Sequence, residues 1–236
     1  MTKCGFEESV KNGLFCDMAQ AFDLLKLKQN AENKEKLAQY AQLILKWNKT
    51  YNLTALKNLN DIYVQHIYDS LAVIEPIEVY LKKQVINRPV LFDVGSGAGL
   101  PGVIVSIMCP QINVVCIDSV GKKIAFIKHV ASSLQLKNLN AQHQRIESWK
   151  TEPAQIVISR AFSSLLNFTK LAGGHVEDNG QLIAMKAHLL KDELDEFEQQ
   201  KLWQINHVEN LAVPNMTAAR CLVWINKTKE HHDGKQ

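Results

Sequence analysis

The sequence predicts an α/β protein: a mostly parallel sheet covered by helices on both faces, preceded by a helical segment. Three observations carry this expectation. From residue 89 onward, short apolar runs alternate with helix-like stretches. The stretch LFDVGSGAGLPG, residues 91–102, ends the first of those runs in glycines. Before it, no glycine occurs between Gly13 and Gly95, and apolar residues recur at spacings of three and four.

Taken in order, EKLAQYAQLILKWNKTYNL places Leu37, Tyr40, Ala41, Ile44, Leu45 and Trp47 at helical spacing. DIYVQHIYDSLAVIEPIEVYL continues the pattern, with Asp61 as the expected N-cap. PVLFDV, INVVCID (112–118), AQIVISRAF (154–162) and GQLIAMKA (180–187) then read as strands. PGVIVSIM, KKIAFIKHVASSLQL and SSLLNFTKLAGG, lying between them, read as helices. WQINHVENLAV and RCLVWINK, joined by a short Pro-Asn link, predict an antiparallel end to the sheet. The expected organisation is a helical extension over 1–87, a sheet domain over 88–227 and a polar tail over 228–236. His231 and His232 in that tail read as solvated rather than as metal ligands.

The chain has 236 residues, 46% hydrophobic and 22% charged, enough for a continuous core. Its N-terminus carries charges and no apolar stretch of the secretory kind, and no apolar run is long enough to span a membrane. The five cysteines are widely spaced with no CxxC pair, so reduced thiols in a cytoplasm are expected, with no metal. The net charge of +3 neither demands nor excludes a nucleic-acid partner.

A strand, a glycine loop and a helix start form a site for an anionic or polar ligand, with Pro101 expected at the first helical position. Two ligands compete. Gly97-x-Gly99-x-x-Gly102 fits a dinucleotide fingerprint, and Asp118, ending the second strand, lies where an acid would hold ribose hydroxyls. The loop also reads Asp93-x-Gly95-x-Gly97-x-Gly99, similar to S-adenosylmethionine (AdoMet) methyltransferases, where an acid just before the glycines helps place the cationic methionine part. An aspartate there would repel a pyrophosphate, whereas AdoMet carries a sulfonium, so Asp93 favours the methyl donor. The segment after the fourth strand reads ISRAF, not the Asn/Asp-Pro-Pro-aromatic motif of adenine amino methylation. Cys109-Pro110 precedes the second strand, the wrong place for a covalent pyrimidine mechanism. A target atom with a free lone pair, such as guanine N7, needs no base.

Six stretches in order resemble one family: WNKTYNLTAL (47–56), HIYDSLAV (66–73), DVGSGAGLPGV (93–103), IDSVGKKIAFIKHV (117–130), VISRAFSSL (157–165) and LIAMKA (182–187). They are similar to the RsmG family, formerly glucose-inhibited division protein B, and the likeness runs from about residue 20 to 227. The resemblance implies a Rossmann-like class I AdoMet methyltransferase with a seven-stranded sheet. It also implies formation of 7-methylguanosine at position 527, in the 530 loop of 16S ribosomal RNA. The implied cofactor contacts are Gly95 and Leu100 in the loop, Ile146 and Glu147 after the third strand, and Arg160 after the fourth. The expected partner is 16S rRNA, in the small ribosomal subunit, with the enzyme a cytoplasmic monomer. The sequence departs from the family pattern at Gln65, Ala187, Ala219 and Cys221.

On the residues alone, Gly95, Gly97 and Gly99 let the backbone pass the methionine part of the cofactor. Asp118 is a ribose acceptor or a helix N-cap. Arg160 and Lys186 end the fourth and fifth strands and are expected to act by position and charge, not as general bases. Arg160 could instead pair with Asp93 or Glu147, and Lys186 could be an exposed strand end. His66 and Asp69 share a helix face, either meeting the site or packing helices. Trp47 and Tyr51 share a face too, for core packing or base stacking. Lys122, Lys123 and Lys128 read as solvated surface or phosphate contacts. Two other functions stay open: a dinucleotide oxidoreductase, and a non-catalytic ribosome-assembly factor.

Overall fold

The computed structural model describes residues 18–84, 86, 88–160 and 162–228. Cys4, Cys16, His231 and His232 lie outside them. Helical turns at residues 18–24 (α1) lead to the long helix α2 (Ala31–Tyr51). The Asn30 side chain accepts from the Asn33 N–H at its start, and Asn52, in the left-handed region, closes its end. Its buried face is Leu37, Tyr40, Ala41 and Ile44, as the spacing predicts.

The second helical stretch is not one helix. A turn of α-helix, α3 (Leu59–Ile62), runs through a π-helical turn (Tyr63–Tyr68) into α4 (Asp69–Leu71), and α5 (Ile74–Gln84) follows a break. The N-cap is Asn58, whose side chain accepts from the Asp61 N–H, rather than Asp61 itself. Apolar spacing does not distinguish four-residue from five-residue turns. Here Tyr63 and Tyr68, five apart, bring their rings within 6.0 Å across the π turn. Pro76 sits in the first turn of α5, where its missing N–H removes no helical bond.

The sheet has seven strands: β1 (Val90–Val94), β2 (Asn113–Asp118), β3 (Leu139–His143), β4 (Ala154–Ser159), β5 (Val176–Lys186), β6 (Trp203–Leu211) and β7 (Arg220–Lys227). Their order is β3-β2-β1-β4-β5-β7-β6. The first five are parallel, and β7 and β6 add antiparallel, as the two β-rich C-terminal runs predict. Four helices interleave: α6 (Gly102–Met108), α7 (Gly121–Ser133), α8 (Leu165–Ala172) and α9 (Lys191–Glu198).

Neither β3 nor α9 has an apolar run to announce it. Among the described residues β3 is an edge strand paired only with β2, and it buries only Leu139 and Ala141. In α9 only Phe197 is buried.

Strand alternation divides the core in two. Leu91, Val114, Ile156, Ile158, Ile183 and Trp224 face one side, where they join Tyr40, Ile44, Ile67, Leu71 and Ile77 of the helical extension. Phe92, Val94, Ile117, Val157, Leu182 and Val223 face the other side, under Phe168, Phe197 and Trp203. Each such buried side chain contributes about 1.5–3 kcal/mol, so the extension is held to the sheet by a shared core. Among the described residues, no helix is long and apolar enough to cross a membrane.

Candidate active site

The glycine loop leaves β1 at the carboxyl edge of the sheet, beside the end of β2. Gly95, Gly97 and Gly99 all have positive φ (69°, 60° and 92°). The N–H groups of Gly95 and Ser96 both donate to the Ile117 carbonyl, at 2.9 and 3.1 Å. A Cβ on Gly97 would meet nothing closer than the Gly95 carbonyl at 4.0 Å, so this side of the loop is open to a ligand. Leu100 is the reverse case. Its side chain is buried in the core and only its backbone belongs to the loop.

Although Val120 rather than Asp118 is the N-cap of α7, Asp118 ties the start of that helix to the glycine loop. Its Oδ1 accepts from Val120 N–H at 2.8 Å, bracing the start of α7. Its Oδ2 accepts from Gly97 N–H at 2.9 Å and lies 3.6 Å from Lys123 Nζ. A carboxylate has about four acceptor positions, so one remains for a ligand hydroxyl. Lys123 therefore belongs to this cluster, while Lys122 and Lys128 are exposed. Gln144 N–H donates to the Asp118 carbonyl at 3.2 Å, which brings the turn after β3 to the same edge. In that turn Ile146 is buried, and Glu147 is turned outward, 3.7 Å from Arg145.

Asp93 is fully buried beneath the loop. Its Oδ2 accepts from Gly102 N–H at 2.8 Å, so the first donor of α6 is already taken. Pro101, joined to Leu100 by a cis peptide, is the N-cap rather than the first helical residue. Oδ1 of Asp93 is buried with no hydrogen-bond partner among the described residues. Burial pushes this carboxyl up to about 7, against the opposing pull of the Gly102 N–H and of Arg160. A buried carboxyl with one oxygen left open beneath the glycine loop fits a cationic ligand such as AdoMet and disfavours a pyrophosphate.

Tyr40 was not visible as a site residue. Its hydroxyl, fully buried, donates to the Ala98 carbonyl at 2.6 Å, so the extension pins the loop directly. Tyr40→Phe is expected to lower stability by about 1 kcal/mol through the unpaired buried carbonyl. Urea unfolding checks this, and an unchanged midpoint would contradict it.

A cleft of about 390 Å³ opens between the extension and the ends of β4 and β5. Thr54, His66, Asp69, Arg160, Lys186 and Arg220 contribute its polar groups. Arg160 does not pair with Asp93 or Glu147. Its Nη1 lies 3.2 Å from Asp69 Oδ2 and 3.2 Å from the Gln65 carbonyl. Arg220 Nε donates to the other oxygen of Asp69 at 3.0 Å. Lys186 is no exposed strand end: Nζ pairs with Glu193 at 2.7 Å and donates to the Ser163 carbonyl at 3.0 Å.

His66 lies in hydrogen-bond contact with Thr54 Oγ1 at 2.8 Å. Burial, and then the Arg160 charge, push its imidazole down to about 4, so it is neutral near pH 7. Trp47 packs on Phe126 with ring centres 5.4 Å apart, which is core packing, and Tyr51 is partly exposed beside it. Arg220, Glu193 and Thr54 were not legible as site residues, because the topology alone brings them to this edge.

The profile of the family described as GidB, rRNA small subunit methyltransferase G, matches residues 33–223. The ribosomal RNA small subunit methyltransferase G of Bordetella pertussis strain Tohama I is 44% identical over 213 residues, covering 90% of this chain and 93% of that protein. The protein of the same name from Albidiferax ferrireducens is 43% identical over 200 residues, covering 81% and 88%. Among solved structures, the plantazolicin methyltransferase BpumL, in complex with a triazolic desmethylPZN analog and SAH, aligns with a TM-score of 0.55 at 13% identity. That alignment covers 84% of this chain and 98% of that one, a likeness of fold alone. With the family profile spanning most of its length, this chain belongs to the GidB family of small-subunit rRNA methyltransferases.

Proposed function

We propose that the chain transfers a methyl group to N7 of guanine 527, in the 530 loop of 16S rRNA. AdoMet supplies an electrophilic methyl carried on a sulfonium. Gly95, Gly97 and Gly99 would admit it to the loop, Asp118 would take a ribose hydroxyl, and Asp93 would face its positive charge. Ile146 and Glu147 would flank the adenine. We read residues 88–227 as the cofactor-binding unit and residues up to 87 as the cover of the cleft. The enzyme would act as a cytoplasmic monomer on the small subunit.

The observation that carries this reading is a cleft rich in cations but without a free base. Asp69 is engaged by two arginines, Glu193 by Lys186, and His66 is a weak base at about 4. Attack by N7 releases no proton, so such a cleft suits it. Catalysis would rest on placing the base in line with the methyl and on charge.

The test is incubation with methyl-labelled AdoMet and small subunits from a strain lacking the modification, followed by borohydride and aniline cleavage at 7-methylguanosine. The expected result is one cut in the 530 loop. Label at another position, or no label from a protein that binds AdoMet, would overturn the assignment.

A further inference from the structure

Asp69 is the point where three parts of the fold meet. It opens α4 in the extension, and it receives Arg160 from the end of β4 and Arg220 from the start of β7. Each carboxylate oxygen holds one arginine, at 3.2 and 3.0 Å. The aspartate is 2% exposed, whereas the side chains of Arg160 and Arg220 are 28% and 25% exposed and line the cleft.

The two guanidinium groups outnumber the one carboxylate they share, so the cluster keeps a net positive charge. One arginine would already neutralise Asp69, so the second leaves the surplus charge at the cleft. Each guanidinium has five N–H donors in a rigid fork. Arg220 uses Nε on Asp69 and Nη1 on the Ala219 carbonyl. Arg160 uses Nη1 on Asp69 and the Gln65 carbonyl. Among the described residues, donors of both forks therefore remain without a partner, on side chains that line the cleft. Lys186, lining the same cleft, adds a third cation whose charge is offset by Glu193.

We propose that Asp69 yokes Arg160 and Arg220 into a single cradle for a phosphate of the target nucleotide. Asp69 is then a positioning residue, and Arg220 a substrate-binding residue. Two forks fixed at one angle suit the tetrahedral oxygens of a phosphodiester, and a phosphate held there sets where its base lies in the cleft. This rests on the reading of the cleft as the RNA site, which the wild-type labelling experiment tests separately.

Asp69→Asn separates the yoke from simple charge. The substitution adds one positive charge to the cleft. If the arginines acted as independent point charges, the KM for small subunits would fall. With the yoke lost, KM is expected to rise about tenfold although the cleft has become more basic. Arg220→Gln, which keeps the Asp69–Arg160 pair, covers the case in which Asp69→Asn does not fold. It is expected to raise KM and to reduce the slope of log KM against log salt by about 0.7–0.9, the share of one phosphate contact. AdoMet affinity, measured by calorimetry, should stay within twofold in Arg220→Gln. An unchanged salt slope in Arg220→Gln, or a lower KM in Asp69→Asn, would overturn the proposal. Failure of the wild type to methylate small subunits would instead remove the reading beneath it.

Discussion

Gly99→Ala should unfold the enzyme at temperatures the wild type survives, whereas Gly97→Ala should leave it folded and deprive it of cofactor. The two glycines stand two residues apart and both have positive φ, at 92° and 60°. Their surroundings differ. A Cβ on Gly99 would lie 2.5 Å from Val103 Cγ2, 3.2 Å from Ile127 and 3.4 Å from the Tyr40 hydroxyl. Val103, Ile127 and Tyr40 are all fully buried, so none can swing into solvent. Overpacking of about 1–3 kcal/mol adds to backbone strain of about 1–2 kcal/mol. The sum is a large part of the 5–15 kcal/mol by which domains of this kind are stable.

At Gly97 the new methyl faces open space, so only the strain remains, about 1 kcal/mol. That open space is where we place AdoMet, and its affinity should drop at least tenfold. Urea unfolding and calorimetric AdoMet titration on both variants decide the matter. Normal AdoMet binding by Gly97→Ala would place the cofactor elsewhere.

That contrast also shows what the sequence could and could not say. The motif marks Gly95, Gly97 and Gly99 as one unit, because glycine spacing reports the need for unusual backbone. It does not report which glycine faces a ligand and which faces Val103. The same limit recurs across the molecule. Parallel strands buried on both faces leave continuous apolar runs, so β1, β2, β4 and β5 were legible. The edge strand β3 leaves none, and it emerged only from the family resemblance.

Arg160 and Lys186 were legible as cleft residues because they end buried strands. The partner of Arg160 was not, since Asp69 lies 91 residues away in the chain. Nothing local in ISRAF announces a pairing with a helix of the extension. Asp93 was legible by position, but its loss of contact with solvent was not. It follows from the glycine loop folding over it and from Gly102 N–H capturing one of its oxygens.

Asp93 and His66 should give the protein opposing pH dependences that hide each other. The Asp93 carboxyl sits at about 7 when folded, against 3.8 ordinarily. Between those values the folded state keeps a proton that the unfolded chain has released. Its contribution is therefore greatest below about pH 4 and falls as pH rises to 7, by up to about 4 kcal/mol at 1.36 kcal/mol per unit. His66 sits at about 4 when folded, against 6.5 ordinarily. Here the unfolded chain takes up the proton first, so stability is full above pH 6.5 and falls on acidification to 4, by up to about 3 kcal/mol.

Over pH 4–6.5 the two slopes have opposite sign, and the wild type should be nearly flat with respect to these groups. Asp93→Asn removes one of them. Its stability should fall on acidification through that window, and at pH 8 it should exceed that of the wild type, because a buried anion with one unpaired oxygen is gone. The same substitution should weaken AdoMet binding at pH 8 by removing the charge that faces the sulfonium. Urea unfolding from pH 4 to 8, with AdoMet titration at the upper end, reads all three effects. Parallel stability profiles for Asp93→Asn and wild type would mean that Asp93 is ionised in the fold. Its anionic charge would then have to be compensated by a partner other than the Gly102 N–H.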